Sequence, residues 1–191
     1  RAGGWQRHVG GDLSGRTLGV VGLGHLGSQV ATVGRAFNMD VIAWSQNLTA
    51  ERANGVGARL VTKDELFGTA DIVTIHLILS ERTRGLVGER ELRLMKPTAL
   101  LINTSRGPIV DEDALVKVLE EGGIAGAGID VFSTEPLPLD HPFRRLPNTV
   151  VTPHIGYVTA ECYEVFYRHI VEAIAAYAAG APVRVLTGTG R

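Results

Sequence analysis

Three side chains in this sequence could together hold an anion and move a proton. His154 stands in "TPHIG", just past an apolar run and between Pro153 and Gly156. Glu135 stands in "STEP", and Arg106 in "NTSRG". A histidine titrates near neutral pH and can serve as a general acid, and a carboxylate beside it would hold the imidazolium and fix its orientation. An arginine grips a carboxylate through two parallel bonds and can polarise a neighbouring carbonyl. Singly, each has an ordinary explanation: a satisfied core histidine, a solvated glutamate, a surface arginine. Together they suit reduction of a carbonyl that carries a carboxylate, with His154 as the acid, Glu135 as its partner and Arg106 as the anchor. His76, alone at the end of "DIVTIH", reads instead as a packed or hydrogen-bonded strand histidine.

Such a reduction needs a hydride donor, and "GLGHLG" is a place to bind one. Gly22, Gly24 and Gly27 follow the G-x-G-x-x-G spacing between an apolar run and a helical pattern. The first glycine permits a tight turn, the second a close approach of pyrophosphate to backbone, and the third close packing of helix on strand. The phosphates would meet the N–H groups and positive dipole end of the helix. An acid about 20 residues on normally binds the adenosine ribose. Ser45, followed by Gln46 and Asn47, stands there instead. Serine could bond a ribose hydroxyl or leave room for a 2′-phosphate, so NAD and NADP both remain open, with NAD slightly favoured.

The chain alternates apolar runs with amphipathic stretches, the pattern of an α/β protein. Strands are predicted at 17–23, 40–45, 59–61, 71–77, 99–105, 125–132 and 149–152. The last, "TVVT", has the composition of a buried strand. Helices are predicted from His25 to Phe37, with Leu26, Val30, Val33 and Phe37 as the inward face, over 62–69 behind Thr62, from Thr83 to about Met95, behind Asp111 up to Gly122, and over 159–179. The last helix carries the stripe Tyr163, Phe166, Ile170, Ile174 and Tyr177. Residues 133–148 hold four prolines and read as a loop. Continuous apolar strands between helices imply a Rossmann-type, doubly wound parallel sheet covered on both faces. Ligands of such sheets sit beyond the carboxyl ends of the strands, and Arg106, Glu135 and His154 all fall after strands.

The chain has 191 residues, a formal net charge of -1, 45 % hydrophobic and 20 % charged residues. That is enough for one well-packed core. Near-neutral charge and scattered arginines give no footprint for nucleic acid or an acidic membrane. The single cysteine, Cys162, excludes an internal disulfide and a cysteine-based metal site. No apolar run approaches the length of a membrane span and no signal-like segment is visible, so a cytoplasmic protein is expected. Residues 1–15 read as a linker or arm with Trp5 a possible anchor, 16–180 as the dinucleotide-binding domain, and 181–191 as a tail.

"LGVVGLGHLG", "NTSRGPIVDEDAL", "GIDVFSTEP" and "TPHIG" resemble the D-isomer-specific 2-hydroxyacid dehydrogenase family, in family order and across nearly the whole chain. The resemblance implies an oxidoreductase passing a hydride between NAD(P)H and a small 2-oxo or 2-hydroxy acid, with glyoxylate, hydroxypyruvate, pyruvate and phosphoglycerate as candidates. It implies Arg106, Glu135 and His154 as the catalytic set, and the glycine turn with His25, Leu26 and Ser45 as cofactor contacts. Leu77, Thr104 and Ser105 would line the cofactor, Asp130 would bond the nicotinamide carboxamide, and His154 with Gly156 would flank the nicotinamide. It also implies a homodimer, no metal, and a tail that returns to a substrate domain mostly outside this chain, so that the chain would be a cofactor-domain fragment with little activity of its own. Two related uses of the fold are a dinucleotide-sensing, corepressor-like interaction protein and a formate or phosphite dehydrogenase. The chain departs from the family at Ser45, where an aspartate is usual, and at Ile78, where a proline is usual.

Overall fold

A computed structural model describes residues 10–186, so the arm with Trp5 lies largely, and the end of the tail wholly, outside the described residues. Seven parallel strands form one sheet: β1 (Thr17–Val21), β2 (Asp40–Trp44), β3 (Arg59–Leu60), β4 (Ile72–Ile75), β5 (Leu100–Asn103), β6 (Gly126–Ile129) and β7 (Thr149–Val151). Their order is β3-β2-β1-β4-β5-β6-β7. The chain runs outward from β1 in one direction, then returns to β4 and runs outward in the other. The strand order therefore reverses between β1 and β4, which opens a crevice above their carboxyl ends. The strands are rich in Val, Ile and Leu because a parallel sheet is apolar on both faces. On one face Leu18, Val20, Val41 and Ala43 pack with Ala31 and Ala53. On the other, Val21, Ile42, Val73, Ile75 and Leu101 pack with Leu66, Leu92 and Leu115.

The helices of this body are α1 (His25–Ala36), α2 (Ala50–Asn54), α3 (Lys63–Thr69), α4 (Glu89–Leu94) and α5 (Glu112–Glu120). Thr49, Thr62 and Asp111 cap α2, α3 and α5 by accepting from Arg52, Glu65 and Ala114 N–H. At the amino ends of the strands the Asp71 carboxylate accepts from Thr17 N–H and Lys96 Nζ, both at 2.8 Å, tying β1 and β4 together. The described residues fall into two compact units divided after His154. The second holds α6 (Ala160–Ala178), capped by Thr159. No helix among the described residues is long and apolar enough to cross a membrane.

Three expectations are corrected. The inward face of α1 is Gly27, Ala31 and Gly34, while Leu26, Val33 and Phe37 are exposed. The cause is proximity: a Cβ on Gly34 would lie 2.6 Å from Leu18 Cδ2, and one on Gly27 2.0 Å from the Gly22 carbonyl oxygen. Only small residues fit beneath the helix, so the larger ones turn outward. Residues 83–88 are not helical. Gly85 has φ +60, and Thr83 Oγ1 accepts from Ser80 N–H and donates to Ile78 O instead of capping a helix. Gly88 caps α4 in its place, its N–H held by Glu91. β7 is not buried but lies at the sheet edge, with Val150 70 % exposed. Within α6 no residue is buried, the aromatic stripe included.

Candidate functional site

The glycine turn joins β1 to α1 at the reversal point of the sheet. Gly22 has φ +97, and a Cβ there would meet His76 O and Leu77 Cδ2 at 2.7 Å. No other residue fits that turn. A Cβ on Gly24 would meet nothing within 4 Å, so the turn is open on the side where a ligand would approach. Gly24 is also the N-cap of α1, and no side chain caps it; the first turn carries no acid. The leading N–H groups of the helix are thus left for an anion. His25 and Leu26 stand exposed at this end, and the His25 ring lies 3.2 Å from Gln29 Nε2. Ser45 follows β2, half-buried beside Trp44, with no acid in the next two positions. Lys63 lies over the Trp44 ring at 5.8 Å but is engaged by Leu86 O and Glu91. A dinucleotide fits this turn: close backbone, open space and uncapped N–H groups coincide.

Across the crevice, β4 ends at His76 and Leu77. His76 Nε2 lies 2.9 Å from Thr74 Oγ1, which fits a hydrogen-bonded strand histidine, and burial pushes its pKa down. The Leu77 carbonyl accepts a short hydrogen bond from Ser105 Oγ, which locks the ends of β4 and β5 together. The turn after β5, with Thr104 exposed, is organised by Asn103, 3 % exposed. Its side chain accepts from Ser105 N–H and donates to Arg106 O, each at 3.1 Å. Arg106 leaves this turn with an exposed guanidinium that donates to Ser105 O at 2.6 Å. Gly107 follows because a Cβ there would lie 2.1 Å from the carbonyl carbon of Phe132. The loop of Arg106 and the turn that follows β6 therefore touch backbone to backbone.

Asp130 directly follows β6 and is 5 % exposed; it receives Thr152 Oγ1 at 2.5 Å. Beyond it, Glu135 turns back on its own loop: Oε1 accepts from Phe132 N–H at 2.9 Å, and Oε2 lies 2.7 Å from His154 Nδ1. Partial burial alone would raise the pKa of Glu135. The bonds from His154 and Phe132 and the charge of Arg106 outweigh it and hold the carboxyl below its usual range. An ionised carboxylate can only accept, so Nδ1 of His154 carries the proton between them. His154 itself has φ +56, with its N–H donated to Thr152 O at 3.1 Å. A side chain in that region costs about 1–3 kcal/mol and persists where surrounding bonds over-determine it. Gly156, two residues on, belongs to the second compact unit.

The first body thus brings Glu135 and His154 into contact, and sets the glycine turn, Ser45, Leu77, Ser105, Arg106 and Asp130 along the same carboxyl edge of the sheet. Sequence reading missed Asn103 and Gly107. A lone amide closing the apolar run "LLIN", and a glycine directly after the arginine, were the available signals. Among the described residues no group of His, Cys, Asp and Glu could hold a metal.

Fold and turn together define a dinucleotide-binding α/β domain. The chain belongs to the D-isomer specific 2-hydroxyacid dehydrogenases, matching their NAD binding domain over residues 1–156. A glyoxylate reductase from Aeropyrum pernix is 44 % identical over 172 residues, 90 % of this chain and 51 % of that protein. A D-3-phosphoglycerate dehydrogenase from Bacillus subtilis is 41 % identical over 181 residues, 94 % of this chain and 34 % of that protein. The crystal structure of a D-3-phosphoglycerate dehydrogenase homologue from Ralstonia solanacearum superposes with a TM-score of 0.89 at 40 % identity, covering 93 % of this chain and 52 % of that one. The chain spans about half the length of the glyoxylate reductases it matches.

Proposed function

We propose that the protein carrying this chain is an NAD(P)-dependent oxidoreductase that interconverts a small 2-oxo acid and its 2-hydroxy acid. The observation that carries the reading is the 2.7 Å contact between His154 Nδ1 and an ionised Glu135, on the sheet edge that also bears the glycine turn. Gly22, Gly24 and Gly27, the N–H groups of His25 and Leu26, Ser45, Leu77, Thr104, Ser105 and Asp130 would hold the dinucleotide. When bound, it supplies or accepts the hydride. His154, with Nδ1 committed to Glu135, exchanges a proton with the substrate oxygen through Nε2. Delivery of that proton leaves a neutral ring still bonded to Glu135, and the reverse reaction returns it. Glu135 keeps the ring oriented and stabilises the imidazolium while it exists. Arg106 can trade its local bond to Ser105 O for two parallel bonds to a substrate carboxylate.

The near-neutral charge supports a protein that needs neither nucleic acid nor an acidic membrane surface. The apolar residues that α1 turns outward, Leu26, Val33 and Phe37, support a homodimer. Full-length natural protein should oxidise NADH or NADPH with at least one of glyoxylate, hydroxypyruvate and pyruvate, or reduce NAD or NADP with phosphoglycerate. Failure with all four and both cofactors would contradict the proposal.

A further inference from the structure

Glu135 sits on a loop with little regular structure of its own, one 3-10 turn at Pro142–Arg144. The loop also borders a cavity of about 550 Å³ whose lining includes Glu135, Pro136, Leu137, Arg144, Pro153 and His154. Packing on that side does not stop the carboxylate from retreating, and the bond it accepts from Phe132 N–H comes from the same loop, so the loop itself must be held for the 2.7 Å contact with the imidazole to persist.

Two side chains grip the backbone on either flank of Glu135. Glu112, in the first turn of α5, accepts from Ser133 N–H at 2.6 Å, two residues before it. Arg144 donates from Nη2 to Leu137 O at 2.7 Å and from Nε to Pro138 O at 2.9 Å, two and three residues after it. These are charge-assisted bonds, stronger than neutral ones, and the guanidinium fork sets two carbonyls at once. The two grips are connected. Glu112 Oε2 lies 3.9 Å from His141 Nε2, and the two side chains are 18 % and 19 % exposed. His141 packs on the buried ring of Phe143 with centroids 4.7 Å apart, directly before Arg144.

We infer that Glu112 and Arg144 are positioning residues for proton transfer: neither touches the reacting groups, and together they hold Glu135 on His154. The inference rests on His154 as the proton donor proposed above. Arg144 acts through geometry, since the cationic partners that act on Glu135 are His154 and Arg106.

The test uses the full-length natural protein and reads the pair directly. A proton on His154 Nδ1 bonded to a carboxylate gives a low-field NMR resonance, assigned by its loss in His154→Gln. Glu112→Ala and Arg144→Met should shift this resonance upfield or lose it to exchange. The same variants should lower kcat by about 10- to 100-fold, as expected of a misplaced catalytic group. They should also raise the solvent isotope effect on kcat, and leave the dissociation constant for NADH unchanged. Glu112→Gln, which keeps an acceptor for Ser133 N–H, should restore the resonance and kcat. Arg144→Lys, with a single donor point, should restore them in part and carries the test if Arg144→Met does not fold. Folded Glu112→Ala and Arg144 variants that keep the wild-type resonance overturn the inference, as does an unchanged kcat and isotope effect. If the resonance is lost as expected but the wild type reduces no 2-oxo acid, the positioning role stands and the proposed function falls.

Discussion

Gly107→Ala should damage the site without touching any group that does chemistry. A Cβ there would lie 2.1 Å from the carbonyl carbon of Phe132, 2.3 Å from its oxygen and 2.5 Å from Ser133 N. All three are backbone atoms of a turn tied to Glu112 and Glu135, so no flexible side chain can swing away. Reaching an ordinary carbon–carbon contact of about 3.5 Å requires the two segments to part by roughly 1.4 Å. Overpacking of this kind costs about 1–3 kcal/mol of stability. Activity falls as well, because the displaced segments carry Arg106 on one side and the N–H that positions Glu135 on the other. A misplacement near 1 Å costs about 100-fold in rate, equivalent to about 2.7 kcal/mol. Urea unfolding and steady-state kinetics of the full-length natural protein provide the check. The expected result is a loss of about 1–3 kcal/mol in stability together with a loss of about 100-fold in kcat/KM. Wild-type stability and kcat/KM in Gly107→Ala would refute the reasoning.

Arg106→Lys should lose about 2–4 kcal/mol in kcat/KM, because a point charge cannot reproduce two parallel bonds to a carboxylate; steady-state kinetics matching wild type would make Arg106 a bystander. Ser45→Asp should move the ratio of kcat/KM towards NADH over NADPH, since a carboxylate at the end of β2 would repel a 2′-phosphate; an unchanged ratio would mean that the 2′ position is read elsewhere. His76 makes stability depend on pH. Burial lowers its pKa in the folded chain below the ordinary 6.5, so as pH falls through that value the unfolded chain binds more protons and stability is lost. His76→Gln should therefore show a smaller drop in urea midpoint between pH 7.5 and pH 5.5 than wild type, and an equal drop would place the sensitivity in other groups.

The strands were legible from their β-forming runs, but the predicted bounds 17–23, 71–77, 99–105 and 125–132 run two or three residues past the ends of β1, β4, β5 and β6, because the turns that follow these strands are themselves rich in apolar and β-forming residues. The glycine turn was legible because its spacing is dictated by sterics, which the 2.0 and 2.7 Å approaches at Gly27 and Gly22 display. The face of α1 was not. Its apolar periodicity marks one face and its glycines another, and only the closeness of helix to sheet decides which is buried. Thr83 resembled a helix cap because the motif is local, while the glycines at 85 and 88 shift the start of α4 by several residues. β7 reads as a core strand because its residues are β-formers, and nothing in "TVVT" tells an edge from a centre. The pairing of Glu135 with His154 followed from chemistry. The grip of Glu112 and Arg144 did not, because both make their bonds to backbone, and a backbone partner leaves no residue type to recognise.

His154→Gln in the full-length natural protein, assayed by NADH oxidation with a 2-oxo acid that the wild type reduces, tests the central claim most directly. Glutamine keeps a polar side chain of similar reach but cannot carry the proton. The account predicts that kcat falls by about 10²–10⁴-fold while the dissociation constant for NADH stays at its wild-type value. A kcat near wild type across the pH range would contradict the assignment of His154 as the proton donor.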